Sequence, residues 1–296
     1  MTKKHTILTA INSKYIHSNL AVYCLRAYAK PYIDEVGIAE YTINQQVDDI
    51  LMSLYQKHPD ILCFSCYIWN MVYVTELTVE CKKVMPGVPI WLGGPEVSYH
   101  AEEMLEQYPF LDGIMKGEGE ITFRELAVYY QNQENGTEGK TLEEIHGITY
   151  RDAEGAIKSN PWRPVMDLSE VDFPYANLKK FENRIIYYES SRGCPFSCSY
   201  CLSSIDKRLR FRNLELVKKE LAFFLEQKVP QVKFVDRTFN CNHKHAVGIW
   251  KYIREHDNGI TNFHFEVAAD VLKDDEIELI SDMLSLIHIS EPTRLA

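Results

Sequence analysis

The chain of 296 residues has no apolar run near the roughly 18 residues that a membrane span requires, so no spanning helix is expected. It has no excess of positive charge. Its 32 Lys and Arg stand against 42 Asp and Glu, a formal net charge of −10, which argues against a general binder of nucleic-acid backbone. Neither a Walker A phosphate loop nor a Gly-x-Gly-x-x-Gly fingerprint occurs, since Gly117-Glu118-Gly119 lacks the third glycine. The N-terminus, Met1-Thr2-Lys3-Lys4-His5, leads straight into a strand pattern with no secretory apolar segment. The eight cysteines form no disulfide grid. Cys63, Cys66 and Cys81 fall in apolar segments and read as buried thiols, while another group is spaced as ligands. This usage points to a reducing cytoplasm. The sequon Asn135-Gly136-Thr137 has no meaning without secretion.

What is present is a globular composition, 46% hydrophobic and 25% charged, in a chain long enough for two domains. From residue 6 to about 131, short apolar runs alternate with helical periods. Strands are expected at Thr6–Ile11, Glu35–Tyr41, Ile61–Ser65, Pro89–Leu92 and Gly113–Met115. Val74, Leu77, Cys81 and Val84 make one helical stripe; Phe123, Leu126, Ala127 and Tyr130 make another. Such alternation predicts a doubly wound parallel sheet with helices on both faces. Ligands of these sheets bind beyond the carboxyl ends of the strands, where Ser65, Gly93-Gly94 and Gly117-Glu118-Gly119-Glu120 collect. Paired glycines let the backbone approach a large flat ligand, and Glu118 and Glu120 would repel a phosphate.

Three cysteines, Cys194, Cys198 and Cys201, lie in Ser191-Arg192-Gly193-Cys194-Pro195-Phe196-Ser197-Cys198-Ser199-Tyr200-Cys201. The spacing is Cys-x-x-x-Cys-x-aromatic-Cys. Three thiolates in one short loop can face a common point, and a cubane iron–sulfur cluster is the assembly that most often uses soft sulfur donors this way. Three local ligands leave one iron open, and an open metal position usually serves chemistry. A zinc knuckle is the alternative, for which Cys241, His243 and His245 could supply further ligands. Around this loop, strands are expected at Arg184–Glu189, Gln231–Val235 and Asn262–Val267. Helical stripes lie between them, with Ala246, Ile249, Trp250 and Ile253 inward.

The cysteine spacing and its neighbours resemble the radical S-adenosylmethionine (radical SAM) superfamily. That resemblance implies a [4Fe-4S] cluster on Cys194, Cys198 and Cys201, whose open iron chelates the amino and carboxylate groups of S-adenosylmethionine. It also implies one-electron cleavage of the sulfonium to a 5'-deoxyadenosyl radical, with Tyr200 by the adenine. Val235-Asp236-Arg237-Thr238-Phe239-Asn240 stands where the superfamily often carries Gly-Gly-Glu; its Asp-x-x-Phe pattern is similar to cobalamin-linked members. Asp236 is the candidate for the cationic amino group, as a carboxylate accepting a charge-assisted hydrogen bond. An ion pair with Arg237 is the plain alternative. Glu266, at the end of the next strand, is a further candidate by the same logic. Arg192, before the cluster loop, is a candidate partner for a carboxylate.

The first half resembles the cobalamin-binding domain that precedes many radical SAM cores. The resemblance implies that Ser65, Gly93 and Gly94 line the slot for the cobalamin's lower nucleotide tail. The Asp-x-His-x-x-Gly sequence that supplies a histidine to cobalt in many such domains is absent. His17, in the corresponding loop, reads as an exposed loop histidine, which leaves the cobalt's coordination open.

The expected architecture is α/β. Residues 1–135 form a cobalamin-binding-like Rossmann domain, 136–183 a connector with a small hairpin, and 184–283 the N-terminal part of a radical SAM (β/α) barrel. Residues 284–296 look like the translation of a sequencing adapter, so the barrel is expected to be truncated and to end in an exposed sheet edge. The expected function is a cobalamin-dependent radical SAM enzyme. It would methylate or rearrange an unactivated carbon of an unknown substrate, with electrons from a low-potential donor such as flavodoxin or ferredoxin. The alternatives are a non-catalytic corrinoid-binding or redox-sensing iron–sulfur protein and, more weakly, a zinc-stabilised nucleotide-binding protein.

Overall fold

The structure, a computed structural model, describes residues 4–33, 35–205, 208–281 and 286–290. It divides into two compact units, Met1–Val165 with Asp172–Leu178, and Met166–Val171 with Lys179–Ala296.

The first unit runs β1 (Thr6–Asn12), α1 (Leu20–Ala29), β2 (Val36–Thr42), α2 (Val47–Tyr55), β3 (Ile61–Ser65), α3 (Met71–Val84), β4 (Ile90–Gly93), α4 (Ala101–Gln107), β5 (Gly113–Met115) and α5 (Glu120–Asn135). The strands pair in parallel in the order β2-β1-β3-β4-β5. This is a doubly wound sheet whose strand order reverses between β1 and β3, where such folds open a ligand crevice. Every residue of β1 is buried, as a central parallel strand covered on both faces requires. Leu62, Phe64, Val74, Leu77 and Cys81 pack in one core under β3 and α3. Val84, expected inward, is exposed at the last turn of α3. Helix α5 continues through Asn135, past the helical period read to about residue 131, and Gly136 closes it in the left-handed region (φ 63°).

The hairpin strands β6 (Ile148–Arg151) and β7 (Ile157–Ser159) extend this same sheet antiparallel from β5. Ile148, Thr149 and Tyr150 are buried there, between β5 and the edge strand β7.

The second unit contains β8 (Ile186–Tyr188), β9 (Ser191–Arg192), β10 (Arg210–Phe211), α6 (Leu214–Glu226), β11 (Gln231–Phe234), α7 (His243–Glu255), β12 (Asn262–Val267), α8 (Asp274–Ser281) and β13 (Leu286–Ser290). Strands β8, β11, β12 and β13 pair in parallel in that order. Asn213 and Asn242 cap α6 and α7 by accepting backbone N–H groups. Phe234, Phe239, Trp250, Phe263 and Phe265, all within 1% of full burial, fill the core between sheet and helices. Of the expected adapter segment, the backbone of Leu286–Ser290 lies beside β12, and residues 284, 285 and 291–296 lie outside the described residues.

Candidate functional site

The carboxyl end of β8 leads into Ser190 and then β9, which pairs antiparallel with β10 (Arg210 with Arg192, Phe211 with Ser191). This two-rung ladder closes the cysteine loop at its base. Gly193 follows β9 with φ 95°, and a Cβ there would come within 2.8 Å of the Arg208 carbonyl oxygen. Glycine is therefore the residue that lets the chain turn into the loop. Cys194, Cys198 and Cys201 are half-buried and in no disulfide, and the Cys201 N–H donates to the Cys198 carbonyl at 3.1 Å. Tyr200, between the last two, is 68% exposed. Among the described residues no three His, Cys, Asp or Glu side chains stand in metal-holding geometry, and the loop cysteines are no exception. The fit to a cluster rests on the donor set: three accessible soft ligands on one loop with a rigid base. By contrast, burial pushes the thiols of Cys63, Cys66 and Cys81 up to about 12, so they stay protonated as core residues.

Opposite the loop base stands the turn after β11. Cys194 Sγ lies 3.8 Å from Thr238 Oγ1. Thr238 has φ 64°, a left-handed conformation that a β-branched residue rarely adopts. Strain of this kind persists where surroundings over-determine it, and it clusters at functional sites. Thr238 also lines a small cleft with Glu266, Val267 and Ala268.

The two carboxylates read from the sequence differ in placement. Asp236 is 1% exposed and accepts from the Ser190 N–H (3.0 Å) and the Ser190 hydroxyl (2.7 Å). Burial pushes its carboxyl up to about 6, against the lowering pull of the Ser190 hydrogen bonds. It braces the end of β8 and does not face solvent. Its expected plain partner, Arg237, reaches Glu266 at 3.9 Å instead. Glu266 stands on the cleft wall and also meets Lys233 at 3.2 Å. Arg192 pairs with Glu189 at 2.7 Å.

Sequence reasoning missed Ser190 and the structural part of His245. His245 Nε2 lies 3.1 Å from Ser190 Oγ, and burial lowers the imidazole to about 4. Because the Ser190 hydroxyl donates to Asp236, the neutral ring must donate from Nε2. His245 is thereby occupied, and His243 contacts Asp275 and Glu276 at 3.2 Å each. The zinc set of Cys241, His243 and His245 is not assembled. A second missed group is the buried pair Arg212–Glu220, in which Glu220 also accepts from the Tyr188 hydroxyl and Arg212 donates to the Leu168 carbonyl.

At the carboxyl ends of β1, β3 and β4 a second polar cluster forms. Asn70, fully buried, accepts the Tyr67 N–H at 2.9 Å and donates to the carbonyls of Ile11 (3.1 Å) and Ser65 (2.9 Å). Ser65 Oγ accepts from Asn19 Nδ2 at 3.2 Å. Gly94 has φ 119°, and a Cβ there would sit 2.5 Å from the Cys66 carbonyl, so the fold itself demands glycine. Gly93 differs: a Cβ would meet only ordinary contact with Met115 at 3.5 Å. The fold leaves room at Gly93, so bare backbone there suits a flat group laid against the strand end. Tyr67 and Trp69 stack at 4.4 Å nearby, with Trp69 45% exposed, and Ile68 is 78% exposed. This gives the β3 end an apolar, aromatic rim suited to a macrocycle. His17 is half-buried in the β1–α1 loop, where its carbonyl accepts from Asn12.

Among the described residues no helix is long and apolar enough to cross a membrane. The sequence model of the B12 binding domain matches residues 7–127. An uncharacterized methyltransferase of Pyrococcus horikoshii is 29% identical over 229 residues, 74% of this chain and 48% of that protein. The cobalamin-dependent radical SAM methyltransferase TokK of Streptomyces tokunonensis is 28% identical over 246 residues, 77% of this chain and 35% of that one. The chain thus spans half or less of the length of these curated relatives. The solved structure of the radical S-adenosylmethionine methyltransferase TsrM from Kitasatospora setae, with cobalamin and an iron–sulfur cluster bound, shares the fold. The TM-score is 0.73 at 16% identity, over 95% of this chain and 59% of that one. A B12 binding domain is thus matched ahead of a parallel βα unit that presents the three-cysteine loop, and over most of its length the chain is similar to cobalamin-dependent radical SAM methyltransferases.

Proposed function

We propose that the chain is the cofactor-bearing part of a cobalamin-dependent radical SAM enzyme that methylates or rearranges an unactivated carbon. The observation that carries this reading is the three-thiol loop on its closed base, aimed from the end of β8 toward the strained Thr238 turn. When bound, a [4Fe-4S] cluster supplies the electron that cleaves S-adenosylmethionine, and a corrinoid supplies a methyl carrier. Everything else is the work of this chain's side chains. Cys194, Cys198 and Cys201 would hold the cluster. Gly193 and the β9–β10 ladder fix where the loop begins. Tyr200, exposed on the loop, offers its ring to the adenine. Glu266, on the cleft wall beside Thr238, is the carboxylate that accepts from the cosubstrate's ammonium, while buried Asp236 braces Ser190 at the end of β8. In the first unit Ser65, Gly93 and Gly94 receive the corrinoid's nucleotide tail.

The test is anaerobic reconstitution of the chain with iron and sulfide, then dithionite and S-adenosylmethionine, with 5'-deoxyadenosine as the readout. Product from the wild type and none from Cys198→Ala supports the reading. Undiminished product in that variant removes it. The substrate and the electron donor, of the flavodoxin or ferredoxin kind, belong to the same proposal.

A further inference from the structure

We infer that Asn19 is a positioning residue that turns the Ser65 hydroxyl toward the ligand, leaving its proton free to donate there. The inference rests on the corrinoid reading of the first unit. Asn19 is the N-cap of α1, and its Oδ1 accepts the Val22 N–H at 3.3 Å. That bond settles the orientation of the side-chain amide, since Nδ2 in the same place would set donor against donor. Nδ2 is therefore the atom that faces Ser65 Oγ, at 3.2 Å. An amide nitrogen only donates, so Ser65 Oγ accepts, and its own proton must point elsewhere.

The pair is held on both sides. Asn19 is 7% exposed, and its backbone N–H donates to Glu40 Oε1 at 3.0 Å. Glu40 is fixed in turn by Asn12 Nδ2 (3.0 Å) and by the Tyr23 hydroxyl. The Ser65 carbonyl accepts from Asn70 Nδ2, which pins the backbone of the serine. The helix cap thus carries a second message: it sets the polarity of a hydroxyl at the strand-order reversal between β1 and β3. A ligand group that presents an acceptor, such as a ring nitrogen or a phosphate or amide oxygen of a corrinoid tail, is recognised. A group that presents only a donor leaves the Ser65 proton unused and is recognised less well.

Two variants separate this role from capping. Asn19→Asp keeps a good cap but replaces the donor by an acceptor, so the Ser65 hydroxyl turns back to the new carboxylate. Asn19→Ser keeps a cap without added charge and removes the donor. The probe is hydroxocobalamin, titrated by its visible spectrum, with the thermal midpoint of the corrinoid-free protein as a fold control. Expected results are a Kd raised about tenfold by Asn19→Asp and about as much by Ser65→Ala, one hydrogen bond's worth. Either Asn19 change combined with Ser65→Ala should bind no worse than Ser65→Ala alone, with midpoints near wild type. Wild-type affinity in both Asn19 variants overturns the inference, as do fully multiplicative losses in the double variants. Failure of the wild type to retain hydroxocobalamin is a different result: it removes the corrinoid reading itself.

Discussion

The buried trio of Asp236, Ser190 and His245 should give the second unit two opposed responses to pH. Asp236 rises from an ordinary 3.8 to about 6 in the fold, chiefly through burial. The folded state then binds a proton more readily than the unfolded chain, so stability from this group increases as pH falls from about 7 toward 4. A shift of about two units corresponds to roughly 3 kcal/mol over the full range, and to about 2 kcal/mol between about pH 7 and about pH 4.5. His245 moves the other way, from 6.5 down to about 4, again chiefly through burial. Its folded form resists protonation, so acidification over the same interval removes about 2 kcal/mol. In the wild type the two nearly cancel. Asp236→Asn leaves the histidine unopposed, and this variant should lose about 2 kcal/mol more than wild type on going from about pH 7 to about pH 4.5. His245→Gln should gain by a similar amount relative to wild type. Urea unfolding of the reduced protein at the two pH values measures both. Parallel stability–pH dependences for wild type and both variants would refute the reasoning, because they would mean that neither group titrates in the buried trio.

Three further outcomes are expected. Gly94→Ala forces a side chain into the Cys66 carbonyl at a positive φ and should cost more than about 2 kcal/mol, read as a lowered urea midpoint. Gly93→Ala meets only ordinary contact with Met115, so its urea midpoint should match wild type while hydroxocobalamin binding weakens at least severalfold. Arg212→Ala leaves Glu220 buried without its guanidinium and should cost about 3–5 kcal/mol in the same assay.

Much of the fold is legible in the sequence where one residue pattern has one structural solution. The apolar runs Ile61–Ser65, Gly113–Met115 and Asn262–Val267 are strands with those bounds, because each is short, largely buried and preceded by a polar residue. The α7 stripe of Ala246, Ile249, Trp250 and Ile253 is inward throughout. The hairpin at residues 148–159 reads as a local element, yet its partner is β5, more than thirty residues earlier, and local pattern carries no such pairing. Asp236 shows the same limit at the site. Its motif position is plain, but its burial is set by Ser190, 46 residues away in sequence. The left-handed Thr238 is invisible beforehand, because threonine is among the residues least suited to that conformation. The paired glycines look alike in sequence and differ in the fold: Gly94 is required by backbone geometry, Gly93 by nothing the chain itself contains.

The central claim, that Cys194, Cys198 and Cys201 hold a cluster with one iron left open, is tested most directly by electron paramagnetic resonance of the reconstituted, reduced chain. The account predicts about four irons per chain and a reduced-cluster signal that changes shape when S-adenosylmethionine is added. A signal indifferent to S-adenosylmethionine, or iron retained in full by the Cys194→Ala, Cys198→Ala, Cys201→Ala triple variant, would contradict it.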